Sequence, residues 1–398
     1  MKTIKRILAL ALCLVLALSC LTACGGDTKK NEDGNAETGD TEVTGEYLIG
    51  LSGPLTGAAA VYGKAVENAA NMAIEEINAA GGLNGAKFKL MALDDVHDAT
   101  KVEANYAKLF ESGMHVSLGC VTSNPCLEFC ALSEEDNVFF LTPSASNDQV
   151  CDGDNAYQMC FADAKQGEVA AKYVNSLGLT EIGIFYKSDD PYSKGIYDNF
   201  KKILNKSIKT VEASFMGDAT DYTQQVSTLK DCKFIFMPIY YDPAALFMMK
   251  AKGTIADDAV FYGCDGFDGI ESTEGFDINS IPQQVSMLSH FNSKATDGKA
   301  KEFIDNYTAK YGKDTLNQFG ASAYDSVYAI FNAMKKAIAD GEEITPDISA
   351  SDLSDILQEV FNNGFTYENG VTGDKIAWDK DGFVNKDAVY YVIKDTTK

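Results

Sequence analysis

From Glu46 onward, short apolar runs alternate with segments whose apolar residues recur every three or four positions. Residues 47–51 are a compact apolar strand, and residues 52–63 a loop punctuated by Gly and Pro. Residues 64–79 place Ala65, Ala69, Met72, Ala73 and Ile77 at helical spacing, and Gly81-Gly82 stops that helix. The pattern then predicts strand 88–93, helix 99–111, strand 116–118, a helix near 125–135 and strand 138–141. After Phe161 the alternation resumes: helix 166–177, strand 182–186, helix 193–205, strand 209–215, helix 221–230, strand 234–237, helix 243–252 and strand 260–262. Short buried strands alternating with helices predict a parallel sheet covered on both faces, and two such runs predict two doubly wound α/β lobes. In open α/β sheets ligands bind beyond the carboxyl ends of the strands, so the loops after the strands are where function is expected.

The start of the chain has a different character. Lys2, Lys5 and Arg6 precede an apolar run over 7–18, and Leu21-Thr22-Ala23-Cys24 follows. A basic start, a short apolar core and small residues at the cut describe a secretory signal, and the run is too short for a membrane span. Cys24 after those small residues resembles the lipobox of bacterial lipoproteins, where the cysteine becomes the lipid-bearing first residue. Residues 25–45 are polar, with Val43 as the one large aliphatic residue, and such a stretch is expected to stay disordered as a leash.

Of the 398 residues, 45% are apolar, enough for full cores, and the formal charge is −24. A polyanion without a Lys/Arg cluster is not expected to bind nucleic acid. Of ten cysteines, Cys13 and Cys20 leave with the signal and Cys24 is the lipid site. Seven remain, so at least one is unpaired unless pairing is intermolecular. Cys120, Cys126 and Cys130 lack metal-ligand spacing and His is scarce, so no metal or cofactor is expected, and buried free thiols are the simpler reading. A Cys151–Cys160 link would close a short loop. The chain has no G-x-S-x-G elbow, Walker loop or H-E-x-x-H, so no enzyme is expected.

The strand-end loops share a chemistry. Ser52 to Gly57 follow the first strand, then Tyr62-Gly63. Gly119 to Pro125 follow the third, where Asn124 is expected to cap a helix with Pro125 at its first position. Hydroxyls and free N–H groups at a helix start suit a carboxylate. Thr142 to Ser146 add hydroxyls. The second run contributes Tyr192, Tyr240, Tyr241 and Asp265. An anion-seeking half facing aromatics and a carboxylate suits an amino-acid zwitterion.

Six segments, in order, resemble the leucine/isoleucine/valine-binding family of solute-binding proteins: residues 49–57, 73–85, 93–95, 142–146, 166–167 and 323–327. The resemblance spans about 46–395. It implies the type I periplasmic binding protein fold, with the two lobes joined by a three-crossing hinge: 46–162 with 290–380, and 163–289 with 381–398. It implies cleft aromatics at Tyr62, Tyr192, Tyr240 and Phe319, carboxylate recognition at Thr122 and Ser123, a Ser144 carbonyl and a Ser146 hydroxyl at the ligand head, and Asp265 against its ammonium. Its expected role is a monomeric, extracytoplasmic, lipid-anchored protein that delivers a branched-chain or similar amino acid to an ABC permease and ATPase. Ligand sensing for a membrane receptor, or the same fold binding an amide, urea or small aromatic acid, are the alternatives. Two positions depart from the family. His97 stands where a cysteine would bridge to Cys120, so that bridge cannot form, and Gln158 replaces an arginine after Tyr157.

Overall fold

The computed structural model describes residues 44–396. The signal, Cys24 and all but the last two residues of the leash lie outside that range. Strand β1 (Glu46–Gly53), helix α1 (Ala60–Ala79), β2 (Lys87–Asp94), α2 (Val102–Glu111), β3 (Met114–Cys120), α3 (Ser123–Glu135), β4 (Phe140–Thr142) and β5 (Ala156–Gln158) make the first α/β run. Their strands form one parallel sheet in the order β2-β1-β3-β4-β5. Every residue of β3 is buried, as a strand covered on both faces requires.

Next come α4 (Asp163–Ser176), β6 (Glu181–Lys187), α5 (Pro191–Ile203), β7 (Lys209–Phe215), α6 (Thr223–Leu229), β8 (Phe234–Met237), α7 (Tyr241–Ala251), β9 (Val260–Gly263) and β10 (Gln284–Ser289). The chain then returns to the first lobe through α8 (Gly298–Tyr311) and α9 (Gln318–Asp340), which packs along α1. Helix α10 (Ala350–Asn362) and the hairpin of β11 (Thr366–Glu368) and β12 (Lys375–Ala377) follow. Finally β13 (Val389–Lys394) joins the second sheet, whose order is β13-β10-β9-β8-β6-β7, with β13 antiparallel to β10 and the other pairs parallel. The chain therefore passes between the sheets three times, after β5, after β10 and after β12. Among the described residues, no helix is long and apolar enough to cross a membrane.

One local expectation is corrected, and one open alternative is not realised. Thr122, not Asn124, occupies the N-cap of α3, and Pro125 is its third residue. The Cys126 N–H closes the first turn on the Thr122 carbonyl at 3.1 Å. Proline fits anywhere in that turn because its missing N–H would have had no helical partner. The Cys151–Cys160 link is also absent: all seven described cysteines are free. Cys151 instead turns its Sγ to the Gly382 carbonyl (3.6 Å) and Cys160 to that of Ala145 (3.5 Å). With no bridge to break, dithiothreitol should leave the melting temperature unchanged, and unfolded mature body should titrate seven thiols. A reductant-induced fall in Tm, or fewer thiols, would reveal a disulfide.

Candidate functional site

Eight residues named from the loops after the strands, and Phe319, which the resemblance implies, meet at one place. Tyr62, Thr122, Ser123, Ser144, Ser146 and Phe319 of the first lobe, and Tyr192, Tyr240 and Asp265 of the second, line a single cavity together with Val121 and Gly266. Strand ends and helix starts deliver them. Tyr62 lies in the first turn of α1, and Phe319 in that of α9, where Asn317 caps by accepting the Phe319 and Gly320 N–H groups at 3.1 and 3.0 Å. Tyr192 is in the first turn of α5, which Asp190 caps through the Ser193 N–H at 2.9 Å. Glycines permit the close packing here: a Cβ on Gly63 would fall 2.2 Å from the Pro54 carbonyl oxygen, and one on Gly266 2.6 Å from the Tyr192 hydroxyl.

The second-lobe half is acidic. Asp265 is 1% exposed. Its Oδ1 accepts from the Tyr192 hydroxyl at 2.7 Å, while Oδ2 has no partner. Burial pushes its carboxyl up to about 7, eased by the Tyr192 and Gln166 side chains. Tyr192 also accepts the Gly266 N–H at 2.9 Å and stacks on Tyr240 at 4.5 Å. The Tyr240 hydroxyl is buried without a partner. No lysine or arginine lines the cavity. A buried carboxylate oxygen and a buried phenol without partners are costly unless a cationic donor reaches them.

The first-lobe half offers donors. Ser123 Oγ accepts the N–H groups of Ser146 (3.3 Å) and Asn147 (3.2 Å), so its lone pairs are engaged and its proton is left for the cavity. The Ser123 and Asn124 N–H groups begin α3. Ser146, expected at the ligand head, has its proton engaged. It donates to Asp163 Oδ1 at 2.7 Å, so toward the cavity it has only lone pairs to offer, which suit an ammonium. Burial and the field of Asp265 hold the Asp163 carboxyl well above the usual range.

Contacts also cross directly between lobes. The Tyr62 hydroxyl donates to the Gly266 carbonyl at 2.5 Å and accepts the Tyr241 N–H at 3.3 Å. Asn147 Nδ2 donates to the Pro191 carbonyl at 3.1 Å, and the Gln318 N–H to Asp268 at 2.9 Å. The cavity they enclose has about 10 Å³ of room for water centres. That is about one water, so a larger solute enters only when the lobes part.

Sequence reading missed His97. It lies beyond β2 with Nδ1 2.8 Å from Thr122 Oγ1 and its ring edge-on to Tyr240 at 5.3 Å. Its signals were its position after a strand end and its standing where the resembled family has a cysteine. The neighbouring Asp94-Asp95 pair is structural: Asp94 accepts the N–H groups of Leu55, Thr56 and Val96 and fixes the loop leading to α1.

A family model described as periplasmic binding protein matches residues 46–397. The leucine-, isoleucine-, valine-, threonine- and alanine-binding protein of Pseudomonas aeruginosa is 29% identical over 313 residues, 76% of this chain and 82% of that one. The branched-chain amino acid transporter substrate-binding protein LivJ of Streptococcus pneumoniae, solved with isoleucine, superposes with a TM-score of 0.72 at 24% identity, covering 88% of this chain and all of that one. A solute-binding protein of an ABC transporter from Rhodopseudomonas palustris, solved with 3,4-dihydroxybenzoic acid, superposes with a TM-score of 0.75 at 16% identity, covering 88% and 94%.

Proposed function

The chain belongs to the periplasmic binding protein family, among the relatives of the leucine/isoleucine/valine-binding proteins, and on that premise we propose that it captures a free α-amino acid with an apolar side chain between its lobes. The observation that carries this reading is the unpartnered Asp265 Oδ2 facing, across one cavity, the Ser123 hydroxyl at a helix start. One end asks for a cation and the other for an anion, on a ligand small enough to bridge both. Tyr62, Tyr240 and Phe319 supply apolar walls for a side chain. The names of the relatives support a branched-chain or similar ligand. In this reading Asp265, Ser146 and the Ser144 carbonyl take the ammonium, and Ser123 with Thr122 takes the carboxylate.

The same premise extends to delivery. A monomer anchored by lipid on Cys24 presents its closed, loaded form to the permease and ATPase of an ABC importer. The basic, apolar and small-residue pattern before Cys24 and the polar leash after it support the anchor. Cys24→Ser should release the protein from the membrane fraction. Unchanged pelleting would remove the lipid. Cells carrying the protein should accumulate the labelled ligand faster than cells lacking it, and binding without uptake would make it a sensory protein.

A thermal-shift panel tests the ligand class. It contains the twenty amino acids, the amides of leucine, isoleucine and valine, urea, benzoate and hydroxybenzoates. A free apolar amino acid at about a thousand times its Kd should stabilise the protein by about 4 kcal/mol. Amides, urea and benzoates should do far less, because each lacks the carboxylate, the ammonium or both. Stabilisation by a benzoate but by no amino acid would overturn the reading.

A further inference from the structure

We propose that His97 is the positioning residue for the ligand carboxylate: its Nδ1–H holds the Thr122 oxygen and thereby turns the Thr122 proton into the cleft. The proposal rests on the amino-acid reading above and deepens it.

Thr122 sits at the N-cap of α3, but its side chain makes no capping bond. An N-cap hydroxyl normally accepts the N–H of the second or third helical residue. Here the third is Pro125, which has none. The Asn124 N–H, the second, does not bond it either, so the Thr122 oxygen is free for another donor, and His97 Nδ1 approaches it at 2.8 Å.

The placement of His97 is enforced. Its φ is +66° and that of Val96 +48°. Two consecutive side-chain-bearing residues in the left-handed region persist only where surroundings over-determine them. The determinant is Asp95, fully buried, which accepts the His97 N–H at 2.8 Å and the Ser52 hydroxyl at 3.1 Å. Edge-on packing against Tyr240 adds a second constraint, from the opposite lobe.

The imidazole is neutral at ordinary pH. Burial holds it down to about 4, Lys187 of the second lobe pushes the same way, and Asp218 and Asp98 oppose. A neutral ring carries one proton. On Nδ1, it makes Thr122 an acceptor toward His97 and a donor toward the cavity. On Nε2, Thr122 must donate to Nδ1 and presents a lone pair to the ligand anion, at the same helix start where the Ser123 and Asn124 N–H groups attract it. A carboxylate in the cleft selects the first arrangement.

Calorimetry on wild type, His97→Phe and His97→Asn, using L-leucine, L-isoleucine and L-valine and their amides, tests the proposal. Phe keeps a ring but no donor. Asn places Nδ2 where Nδ1 stood and tolerates positive φ. Replacing His97 with Phe should weaken the free acids about tenfold or more, as loss of a hydrogen bond to a charged group does, and leave the amides unchanged. Asn should restore the acid-to-amide ratio. Equal loss for acids and amides, or no loss, overturns the proposal. Independently, imidazole nitrogen spectra of wild type saturated with whichever of the three acids binds, with His97 assigned by its absence in His97→Asn, should show the proton on Nδ1. A proton on Nε2 in that complex overturns the proposal. Wild type that binds none of the three acids sinks the amino-acid reading instead, which separates the two failures.

Discussion

Asp265→Asn should weaken amino-acid binding by roughly 2–5 kcal/mol, the usual result of truncating one partner of a buried charged pair. The effect is large because no other carboxylate lines the cavity to hold the ammonium, and Asp265 Oδ2 has no protein partner. Unchanged affinity by calorimetry would remove Asp265 from the site.

The same residue sets a pH dependence with a defined sign. In the closed form without ligand, burial raises the Asp265 carboxyl from 3.8 to about 7. The folded state therefore holds a proton there that the unfolded state has released, and this group costs stability progressively as pH rises from about 4 to 7. A ligand ammonium reverses the preference by pairing with the ionised form. Binding below pH 7 then expels a proton, and affinity should fall about tenfold per pH unit as pH drops from 7 to 5. Above 7 it should level off until the ligand's own ammonium deprotonates. Asp265→Asn should abolish the slope attributable to this group. A wild-type affinity flat from pH 5 to 8 would mean that the carboxyl is ionised before the ligand arrives.

How much of this was legible in the sequence follows physical lines. The strands of both lobes up to β9, except the three-residue β5, were readable because a buried parallel strand is a dense apolar run. β10, with Gln284, Ser286 and Ser289 among its six residues, was not. Helix α9 is buried almost all round, yet Ser322, Asp325 and Ser326 interrupt its apolar pattern. Asp325 is tolerated there because the Val371 and Thr372 N–H groups, both at 2.8 Å, and the Thr372 hydroxyl at 2.6 Å satisfy it. No local periodicity announces partners 46 and 47 residues away. The convergence of eight of the nine residues on one cavity was legible because strand ends carry sites in this topology, whereas Phe319 came only from the family resemblance. The direction of the Ser146 proton and the role of His97 were not, since the first depends on Asp163 across the loop and the second on a positive φ that the residue type does not favour.

The ligand should compact the protein. Closure gains neutral contacts between the lobes, such as Tyr62 to the Gly266 carbonyl and Asn147 to the Pro191 carbonyl. It also buries Asp265 and Asp163, each with an oxygen left without a partner. Neutral hydrogen bonds contribute about 1 kcal/mol each, and an unpaired buried carboxylate costs more. At pH 8 without ligand the open form should therefore be well populated. An ammonium held by Asp265 removes much of the opposition, and it does so only in the closed form, which is the differential affinity a population shift requires. Small-angle scattering should give a smaller radius of gyration with saturating ligand, with bending at the crossings near 162, 289 and 380. Two controls follow from the electrostatics. Ligand-free Asp265→Asn should be more compact than ligand-free wild type at pH 8, because the opposing charge is gone. Ligand-free wild type should compact on going from pH 8 to pH 5, as Asp265 takes up its proton. Identical profiles in all of these states would mean a rigid scaffold, and the ligand would then have to reach its cavity without separation of the lobes.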